Sequence, residues 1–287
     1  MRFLIEKPGS SLPKKLFSIQ EVRQLVRNAI HEAETRLTQL DIERRLSRYF
    51  QIDRRRVRSA IKDLVDQQEL MYVSDFGHTF IETSLHKPIR ITGKIVLKPW
   101  NCTFEAGAGD IVVSLCHGIS FGSGQHPTTR LCLKGLEYLQ QNYAGLWRGE
   151  KTRALDIGTG SGVLIITALK MGVASGVAVD IDACAISEAR SNAVNNGLSG
   201  RITISSEPLE SFQEVFNLIL ANLRSPTLKS LLPQMKDRTI PGGKILLSGI
   251  KTEELDLFTK QIHGLGLSRE WVGEERGWAA IVLNKGS

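Results

Sequence analysis

The sequence predicts an α/β protein whose larger part is a mostly parallel β-sheet covered by helices on both faces. From residue 127 onward, short apolar runs alternate with helical segments, which is the pattern of such a sheet. Two β-rich runs, 269–272 and 278–283, close the chain and predict an antiparallel hairpin at the sheet edge. Before residue 84 the charges are dense and helically patterned, so a smaller region precedes the sheet.

The smaller region is predicted to contain three helices followed by a hairpin. Apolar residues recur at helical spacing in three segments, and a residue suited to cap a helix precedes each segment. These candidate N-caps are Ser18, Thr38 and Asp53. Residues 70–73 and 79–81 predict two strands joined by a turn at 75–77. The order resembles a winged-helix domain, which we assign to residues 1–86.

The rest of the chain is predicted to form a connector and a sheet domain. Residues 87–126 hold three short β-rich runs and are assigned as a β-rich connector, and residues 127–287 form the α/β domain. The predicted strands of this domain are 154–157, 177–179, 202–205, 218–221 and 244–248. The predicted helices are 131–143, 161–171, 183–195, 228–235 and 253–265.

Charge and cysteine usage indicate a cytoplasmic protein. The formal net charge of +7 is a mild basic excess that fits an anionic partner such as RNA, DNA or a ribosome. The four cysteines stand at no metal-ligand spacing, so we expect no metal site and four buried free thiols. The start of the chain has no apolar stretch typical of a signal peptide. The apolar region 163–179 is too short and interrupted to cross a bilayer, so no membrane contact is expected.

The sharpest local signal is the sequence LDIGTGSG at 155–162, where an apolar strand meets a glycine-rich turn and then a helix. Glycine permits a positive φ and close approach of a ligand, and a helix N-terminus offers N–H groups to an anion. A dinucleotide loop needs glycine at the sixth position, which here is Val163. Asp156 would repel a pyrophosphate, but it suits the ammonium and sulfonium groups of S-adenosylmethionine. Asp156, Gly158 and Gly160 are therefore cofactor candidates; a turn without a ligand is the alternative.

Three polar residues follow the next strands. Asp180 stands at a carboxyl strand end, where a carboxylate can accept hydrogen bonds from both ribose hydroxyls. Asp182 is expected to cap the helix that begins at Ala183. Asn222 ends another apolar strand and could hydrogen-bond a substrate amine or the cofactor, with a turn-forming asparagine as the alternative.

The segment FGSGQHPTT at 121–129, together with LDIGTGSG, VDID, LANL and the closing Gly277-Trp278, is similar to the PrmA family. Enzymes of this family methylate a large-subunit ribosomal protein on amino groups. The resemblance covers residues 89–285 and implies a Rossmann-like class I methyltransferase domain that uses S-adenosylmethionine. It implies cofactor contacts at five positions and a place near the reacting methyl for the last of them: Phe121, Thr129, Gly158, Asp180 and Asn222. His126 is expected to be a loop residue, with a catalytic base as the alternative.

The N-terminal region differs from the small α/β recognition domain of PrmA enzymes. Its third predicted helix opens with a cluster of arginines: Arg54, Arg55, Arg56 and Arg58. In helix-turn-helix modules this helix enters a groove of the nucleic acid, so nucleic acid is a candidate partner. A protein-docking or solvated charged face is the alternative.

The expected activity is S-adenosylmethionine-dependent N-methylation of a protein amine, either a lysine or an N-terminus, with Asn222 as the candidate catalytic residue. Many methyltransferases that act on nucleic-acid bases have Pro-Pro-aromatic after the equivalent asparagine. Here Asn222 is followed by Leu223, Arg224 and Ser225, which favours a protein or a small amine. Two alternatives remain: a nucleic-acid methyltransferase guided by the winged helix, and a DNA-binding regulator that senses the cofactor.

Overall fold

The computed structural model describes residues 17–31, 33, 37–75, 78–84, 87–116, 126–147 and 149–286. It divides the chain into two compact units, Met1–Ser84 and Leu85–Ser287, which we call the N-terminal unit and the sheet unit. The three-part division at 86 and 126 stays a prediction.

The N-terminal unit contains three helices and three strands around one apolar core. Its elements are α1 (Ile19–His31), β1 (Leu37–Thr38), α2 (Gln39–Phe50), α3 (Arg54–Asp66), β2 (Leu70–Asp75) and β3 (His78–Thr83). β2 and β3 form an antiparallel hairpin, and β1 adds to the other side of β3. The helices bury apolar residues that recur at helical spacing, among them Val22, Val26, Ile42, Leu46, Val57 and Ile61.

The three predicted caps are confirmed. Ser18 Oγ accepts from the Glu21 N–H, Asp53 Oδ1 accepts from the Arg55 N–H, and Thr38 forms a capping box with Asp41. The sequence did not predict β1, because two residues are too few to show an alternating pattern. Two residues of the expected hairpin turn, Phe76 and Gly77, lie outside the described residues. The winged-helix assignment stays a prediction.

The sheet unit contains ten strands and five helices within its described residues. The strands are β4 (Ile89–Arg90), β5 (Ile95–Pro99), β6 (Ile111–Leu115), β7 (Arg153–Ile157), β8 (Ser175–Val179), β9 (Ile202–Ser205), β10 (Phe216–Asn222), β11 (Thr239–Lys251), β12 (Leu267–Glu275) and β13 (Trp278–Lys285). The helices are α4 (Pro127–Asn142), α5 (Val163–Met171), α6 (Ala183–Asn195), α7 (Ser225–Asp237) and α8 (Leu255–Gly264).

The main sheet has seven strands in the order β12-β13-β11-β10-β7-β8-β9. The five strands from β11 to β9 run parallel, while β13 pairs antiparallel with both β11 and β12. Side chains of β10 alternate between two cores, with Leu218 and Leu220 facing α4 and α5, and Ile219 and Ala221 facing α7 and α8. The predicted parallel sheet with an antiparallel terminal hairpin is confirmed.

The strands of the predicted connector belong to the core of the sheet unit. β5 pairs with β4 antiparallel and with β6 parallel in a second, three-stranded sheet. Ile95 and Leu97 of β5 and Val113 of β6 pack in the same apolar core as helix α5. This small sheet therefore supports one face of the larger one.

Four helices of the sheet unit begin away from their predicted starts; α7 begins at Ser225 instead of residue 228, and α8 begins at Leu255 instead of residue 253. α4 begins at Pro127 instead of residue 131, because His126 caps the helix and proline is favoured in its first turn. α5 begins at Val163 instead of residue 161, because Gly160 and Gly162 have positive φ and cannot belong to an α-helix.

The cysteines are free, but the prediction that all four are buried is wrong. Cys132 is buried, whereas Cys102 and Cys116 are half-buried and Cys184 is exposed in the first turn of α6. The position of Cys184 on the outward side of that helix explains the difference.

The longest helix in the described part of the chain is α4, with 16 residues. None of the described helices has both the length and the apolar character needed to cross a membrane.

Candidate active site

The candidate site lies where β8, β7 and β10 end side by side. In the sheet register, Ile157 of β7 is paired with Val179 of β8 on one side and with Ala221 of β10 on the other. The residues that follow these three are Gly158, Asp180 and Asn222. Neighbouring strands lie about 4.8 Å apart, so the sheet brings the three predicted positions together at one edge.

The glycine loop is fixed by hydrogen bonds to β8 and by packing against the segment after β10. The N–H groups of Gly158 and Thr159 both donate to the Val179 carbonyl, at 2.9 and 3.0 Å. Gly158 has a φ of +70°, and a Cβ there would collide with the Leu223 side chain. Glycine is therefore required at 158 for its backbone conformation and for space.

Asp180 links the glycine loop to the turn that follows β8. Its Oδ2 accepts from the Gly160 N–H at 2.9 Å, and its Oδ1 accepts from the Asp182 N–H at 3.0 Å. Each carboxylate oxygen can accept a further hydrogen bond, so both remain able to accept from a diol. Asp182 Oδ1 accepts from the Cys184 N–H at 2.8 Å, which confirms its predicted role as the cap of α6.

Asp156 lies beneath the glycine loop and is buried. Its Oδ2 accepts from Thr159 Oγ1 at 2.8 Å and from the Ile165 N–H at 3.3 Å. Its Oδ1 is buried and has no hydrogen-bond partner within the described part of the chain. Burial, together with a smaller effect of the nearby Asp180, raises the pKa of Asp156 to about 7 despite the bonds from Thr159 and the Ile165 N–H. The sequence placed Asp156 beside the loop and did not reveal that its side chain is enclosed.

Asn222 meets the first turn of α4. Its Nδ2 donates to Thr129 Oγ1 at 3.4 Å, and Thr129 is fully buried. His126, the residue immediately before α4, caps this helix, and its Nδ1 lies 2.8 Å from Thr128 Oγ1. The hydrogen bond between Asn222 and Thr129 joins two residues that the PrmA resemblance assigns to the site. Phe121, the remaining candidate of that segment, lies outside the described residues.

An aromatic cluster stands at the same end of the sheet. Ser248 of β11 is paired with Asn222, and Lys251, three residues further along β11, is paired with Trp278 of β13. The Lys251 ammonium lies 3.8 Å from the centre of the Trp278 ring, and the His126 ring packs edge-on at 5.2 Å. The Trp278 indole N–H is buried and has no partner within the described residues. The closing Gly277-Trp278 of the sequence motif thus lies at the carboxyl edge of the sheet.

Asn192 is a residue of the site that the sequence did not reveal. It is fully buried in α6, where its Oδ1 accepts from the Cys116 N–H at 2.6 Å and its Nδ2 donates to the Ser161 carbonyl at 2.8 Å. It therefore ties the glycine loop to the end of β6. An asparagine inside an amphipathic helix is the only sequence signal, and it does not name its partners.

The sequence also did not predict a shallow groove beside Asp180. Ile181 is 99% exposed, which is unusual for a large apolar side chain. It borders an open groove of about 420 Å³. The residues that line the groove are Ile181, Ala183, Ile186, Ser187, Arg190 and Ser206.

The seven-stranded sheet, with its antiparallel last hairpin and its glycine loop after β7, is the fold of a class I methyltransferase. A family model described as ribosomal protein L11 methyltransferase (PrmA) matches residues 16–286, which includes most of the N-terminal unit. The chain belongs to the PrmA family. The similarity predicted from the sequence over 89–285 is thereby confirmed and extends further towards the N-terminus.

Individual relatives agree with this assignment. The chain is 39% identical over 199 residues to a ribosomal protein L11 methyltransferase of Geotalea uraniireducens, which is 68% of this chain and 63% of that protein. It is 38% identical over 200 residues to the protein of the same name from Citrifermentans bemidjiense, covering 69% and 64%. The chain thus spans slightly less than two thirds of the length of these relatives.

A solved structure shares the fold. The ribosomal protein L11 methylase of Lactobacillus delbrueckii subsp. bulgaricus has a TM-score of 0.62 to this chain at 25% identity. The superposition covers 70% of this chain and 100% of the other.

Proposed function

We propose that this chain is an S-adenosylmethionine-dependent methyltransferase that methylates a protein amine, on a lysine side chain or an N-terminus. The observation that carries the proposal is the side-by-side arrangement of Gly158, Asp180 and Asn222 at the ends of three neighbouring strands. In open α/β sheets this edge, where the strand order reverses, is where ligands bind. The similarity to ribosomal protein L11 methyltransferases supports a protein acceptor and makes a ribosomal protein the first candidate.

The residues at the loop fit S-adenosylmethionine better than a dinucleotide. The loop glycines and the start of α5 offer N–H groups to a single carboxylate. Two acids, the buried Asp156 and the half-buried Asp180, stand next to the same loop. They would repel a pyrophosphate and favour a ligand that carries an ammonium and a sulfonium. The Oδ1 of Asp156 has no partner within the described residues, and a bound ammonium would favour the ionised form of this carboxyl, whose pKa burial raises to about 7.

The sugar and base have matching positions further along the edge. Both oxygens of Asp180 keep a free acceptor site and would receive the two ribose hydroxyls. The groove next to it begins at Ile181, whose exposed side chain would be covered by an adenine ring. Along this edge, the glycine loop, Asp180 and Ile181 therefore follow the order of the amino-acid, ribose and adenine parts of the cofactor.

When bound, S-adenosylmethionine supplies a methyl group on a positively charged sulfur, which is already a strong electrophile. Transfer would join the methyl carbon to the neutral amine nitrogen, leave the sulfur as the neutral thioether of S-adenosylhomocysteine, and release one proton from the nitrogen to water. Asn222 donates through Nδ2 to Thr129, which leaves its Oδ1 free to accept an amine N–H. We infer that this contact orients the nitrogen lone pair towards the methyl group, an effect worth several kcal/mol.

The acceptor must be uncharged to react, although a free lysine has a pKa of about 10.4. Burial of the amine would lower its pKa, and the Lys251 ammonium on the Trp278 ring would lower it further if the acceptor enters beside it. The aromatic face of Trp278 also suits an amine that becomes more apolar with each methyl. Arg224 and Ser225 follow Asn222 and Leu223, so this loop provides no aromatic ring on which to stack a nucleic-acid base.

Calorimetry with S-adenosylmethionine tests cofactor binding. Asp180→Asn weakens both ribose contacts, which at about 1.5–3 kcal/mol for hydrogen bonds to a charged group predicts at least a tenfold rise in Kd. Asp182→Asn is the matched control, because asparagine is an equally good helix cap. Equal Kd values for the two variants would contradict the proposed cofactor site.

Transfer of tritiated methyl groups into a cell lysate, followed by protease or nuclease digestion, tests the acceptor. Label that protease releases supports the protein amine. Label that nuclease releases would show a nucleic-acid methyltransferase instead. Tight cofactor binding with no label in either fraction, together with specific DNA binding, would support the regulator.

A further inference from the structure

The outer face of α3 presents a row of cations. Arg54, Arg58 and Lys62 are spaced four residues apart, and Arg55 lies beside them; all four are exposed. At 1.5 Å per residue the row is about 12 Å long. We call these four residues the α3 cation row.

Arg58 is held in position by a buried carboxylate. Its Nε and Nη2 donate to the two oxygens of Glu43 at 2.8 and 2.9 Å. The Glu43 side chain is 2% exposed, whereas that of Arg58 is 61% exposed, so the acid lies beneath the guanidinium. Gln39 Nε2 also donates to Glu43, at 2.8 Å. A bidentate bond of this kind fixes the guanidinium and leaves Nη1 directed away from the acid.

The other cations of the row lack ion pairs, in contrast to the arginines of α1. Arg23 pairs with Asp63 at 2.6 Å, and Arg27 pairs with Glu69 at 2.8 Å. In the described residues, Arg54, Arg55 and Lys62 have no carboxylate within salt-bridge distance. The nearby α2 adds exposed cations that also lack a carboxylate at salt-bridge distance in the part of the chain that the structure describes: Arg44, Arg45 and Arg48. Acids on this surface are fewer: Asp41 and Asp53 cap helices, and Asp66 ends α3.

An exposed aromatic side chain borders the row. Tyr72 is 47% exposed, and its hydroxyl donates at 2.9 Å to Oε1 of Gln39, the same residue that bonds to Glu43. A hydrogen-bonded chain therefore connects Tyr72, Gln39, Glu43 and Arg58. Cations next to an available aromatic ring are the combination that binds a phosphate backbone and stacks on an unpaired base.

We propose that the α3 cation row, with Tyr72 at its border, binds RNA through its phosphate backbone. The charge and the aromatic ring point to nucleic acid. The choice of RNA over DNA rests on the proposed function, because a ribosomal protein acceptor is made and assembled beside RNA. Arg56 is outside this surface, since its guanidinium donates to the Phe17 carbonyl.

Fluorescence anisotropy of the full chain with a labelled RNA hairpin, without cofactor, tests the proposal. Arg55→Ala/Lys62→Ala should weaken binding roughly tenfold at about 100 mM salt and reduce the slope of log K against log salt by about 1.5. Lys151→Ala/Lys260→Ala is the control, because it removes the same charge from exposed positions of the sheet unit. Equal affinities of the two double variants, or no binding of RNA by the unmodified chain, would overturn the proposal.

A second variant separates positioning from charge. Glu43→Gln removes an acid, so a surface that acts only by net charge would bind RNA more tightly. Because Glu43 holds Arg58, we expect weaker binding instead, with Glu43→Asp recovering part of the loss and circular dichroism showing that both variants are folded. Tighter binding by Glu43→Gln would overturn the role of this pair. Equal or stronger binding of a DNA hairpin, or full competition by polyglutamate, would reject RNA as the ligand. RNA binding is measured without cofactor and methyl transfer is measured in a separate assay. A failure of methyl transfer would therefore contradict the proposed function without changing the result for RNA binding.

Discussion

Replacement of Asn192 should weaken both the sheet unit and its cofactor loop. The side chain is fully buried and satisfies two backbone groups that lie far apart in sequence, the Cys116 N–H and the Ser161 carbonyl. Asn192→Ala removes both bonds from two backbone groups with little access to water, one at the buried Ser161 and one at the half-buried Cys116. The loss of such bonds raises the free energy of the folded state, because these polar groups have already lost hydrogen bonds to water on folding.

The magnitude follows from the two bonds. The loss of each such bond costs about 1–3 kcal/mol, so Asn192→Ala should lower the free energy of unfolding by about 2–6 kcal/mol. Ser161 belongs to the glycine loop, and its release lets the loop leave the conformation that the cofactor needs. If the loop loses about 1.4 kcal/mol of preference for that conformation, the Kd for S-adenosylmethionine rises about tenfold.

Urea unfolding measures the stability, and calorimetry with S-adenosylhomocysteine measures the affinity. Asn196→Ala is the matched control, because Asn196 caps the C-terminal end of the same helix. Among the described residues its side chain bonds Ser114 of β6, at 2.9 and 2.6 Å, and the Asn192 carbonyl of its own helix, and not the glycine loop. Asn196→Ala should lower the free energy of unfolding. Its Kd for S-adenosylhomocysteine should stay within about twofold of the value for the unmodified protein. A Kd that changes equally in both variants, or in neither, would refute the link between Asn192 and the loop.

Three further variants probe the site. Asn222→Ala should lower the single-turnover rate constant about 100-fold with little change in cofactor Kd, because we infer that Asn222 orients the amine. Gly158→Ala should lower the free energy of unfolding by about 1–2 kcal/mol and abolish calorimetric binding, since Cβ meets Leu223 at positive φ. Burial raises the pKa of Asp156 from 3.8 to about 7. The folded state therefore holds this proton more tightly, and stability relative to Asp156→Asn should fall from pH about 4 to about 7 in urea unfolding.

The sheet and the strand-end residues could be predicted because local patterns determine them. Alternating apolar runs and helical segments define a parallel sheet, and the chain direction then puts Gly158, Asp180 and Asn222 at the same edge. Helix caps are equally local, which is why Thr38 and Asp182 were identified correctly.

The features that escaped prediction depend on partners distant in sequence. Asn192 and Cys116 are 76 residues apart, and no helical period connects them. The burial of Asp156 depends on how Thr159 and α5 fold back over the end of β7. His126 lies in the loop before α4, as expected, but its role as the cap of that helix was not predicted.

The arginines of α3 also show the difference between what a local sequence pattern predicts and what contacts with distant residues determine. Arg54, Arg55, Arg56 and Arg58 form one cluster in the sequence, but each residue of a helix is rotated by about 100° from the last. Arg56 consequently turns towards the Phe17 carbonyl, while Arg58 lies over Glu43. The surface that a ligand meets consists of the basic side chains that stay exposed after these internal bonds are made, and Arg58 is one of them. A basic run in a sequence therefore indicates a partner of opposite charge only once the structure shows which side chains are already engaged.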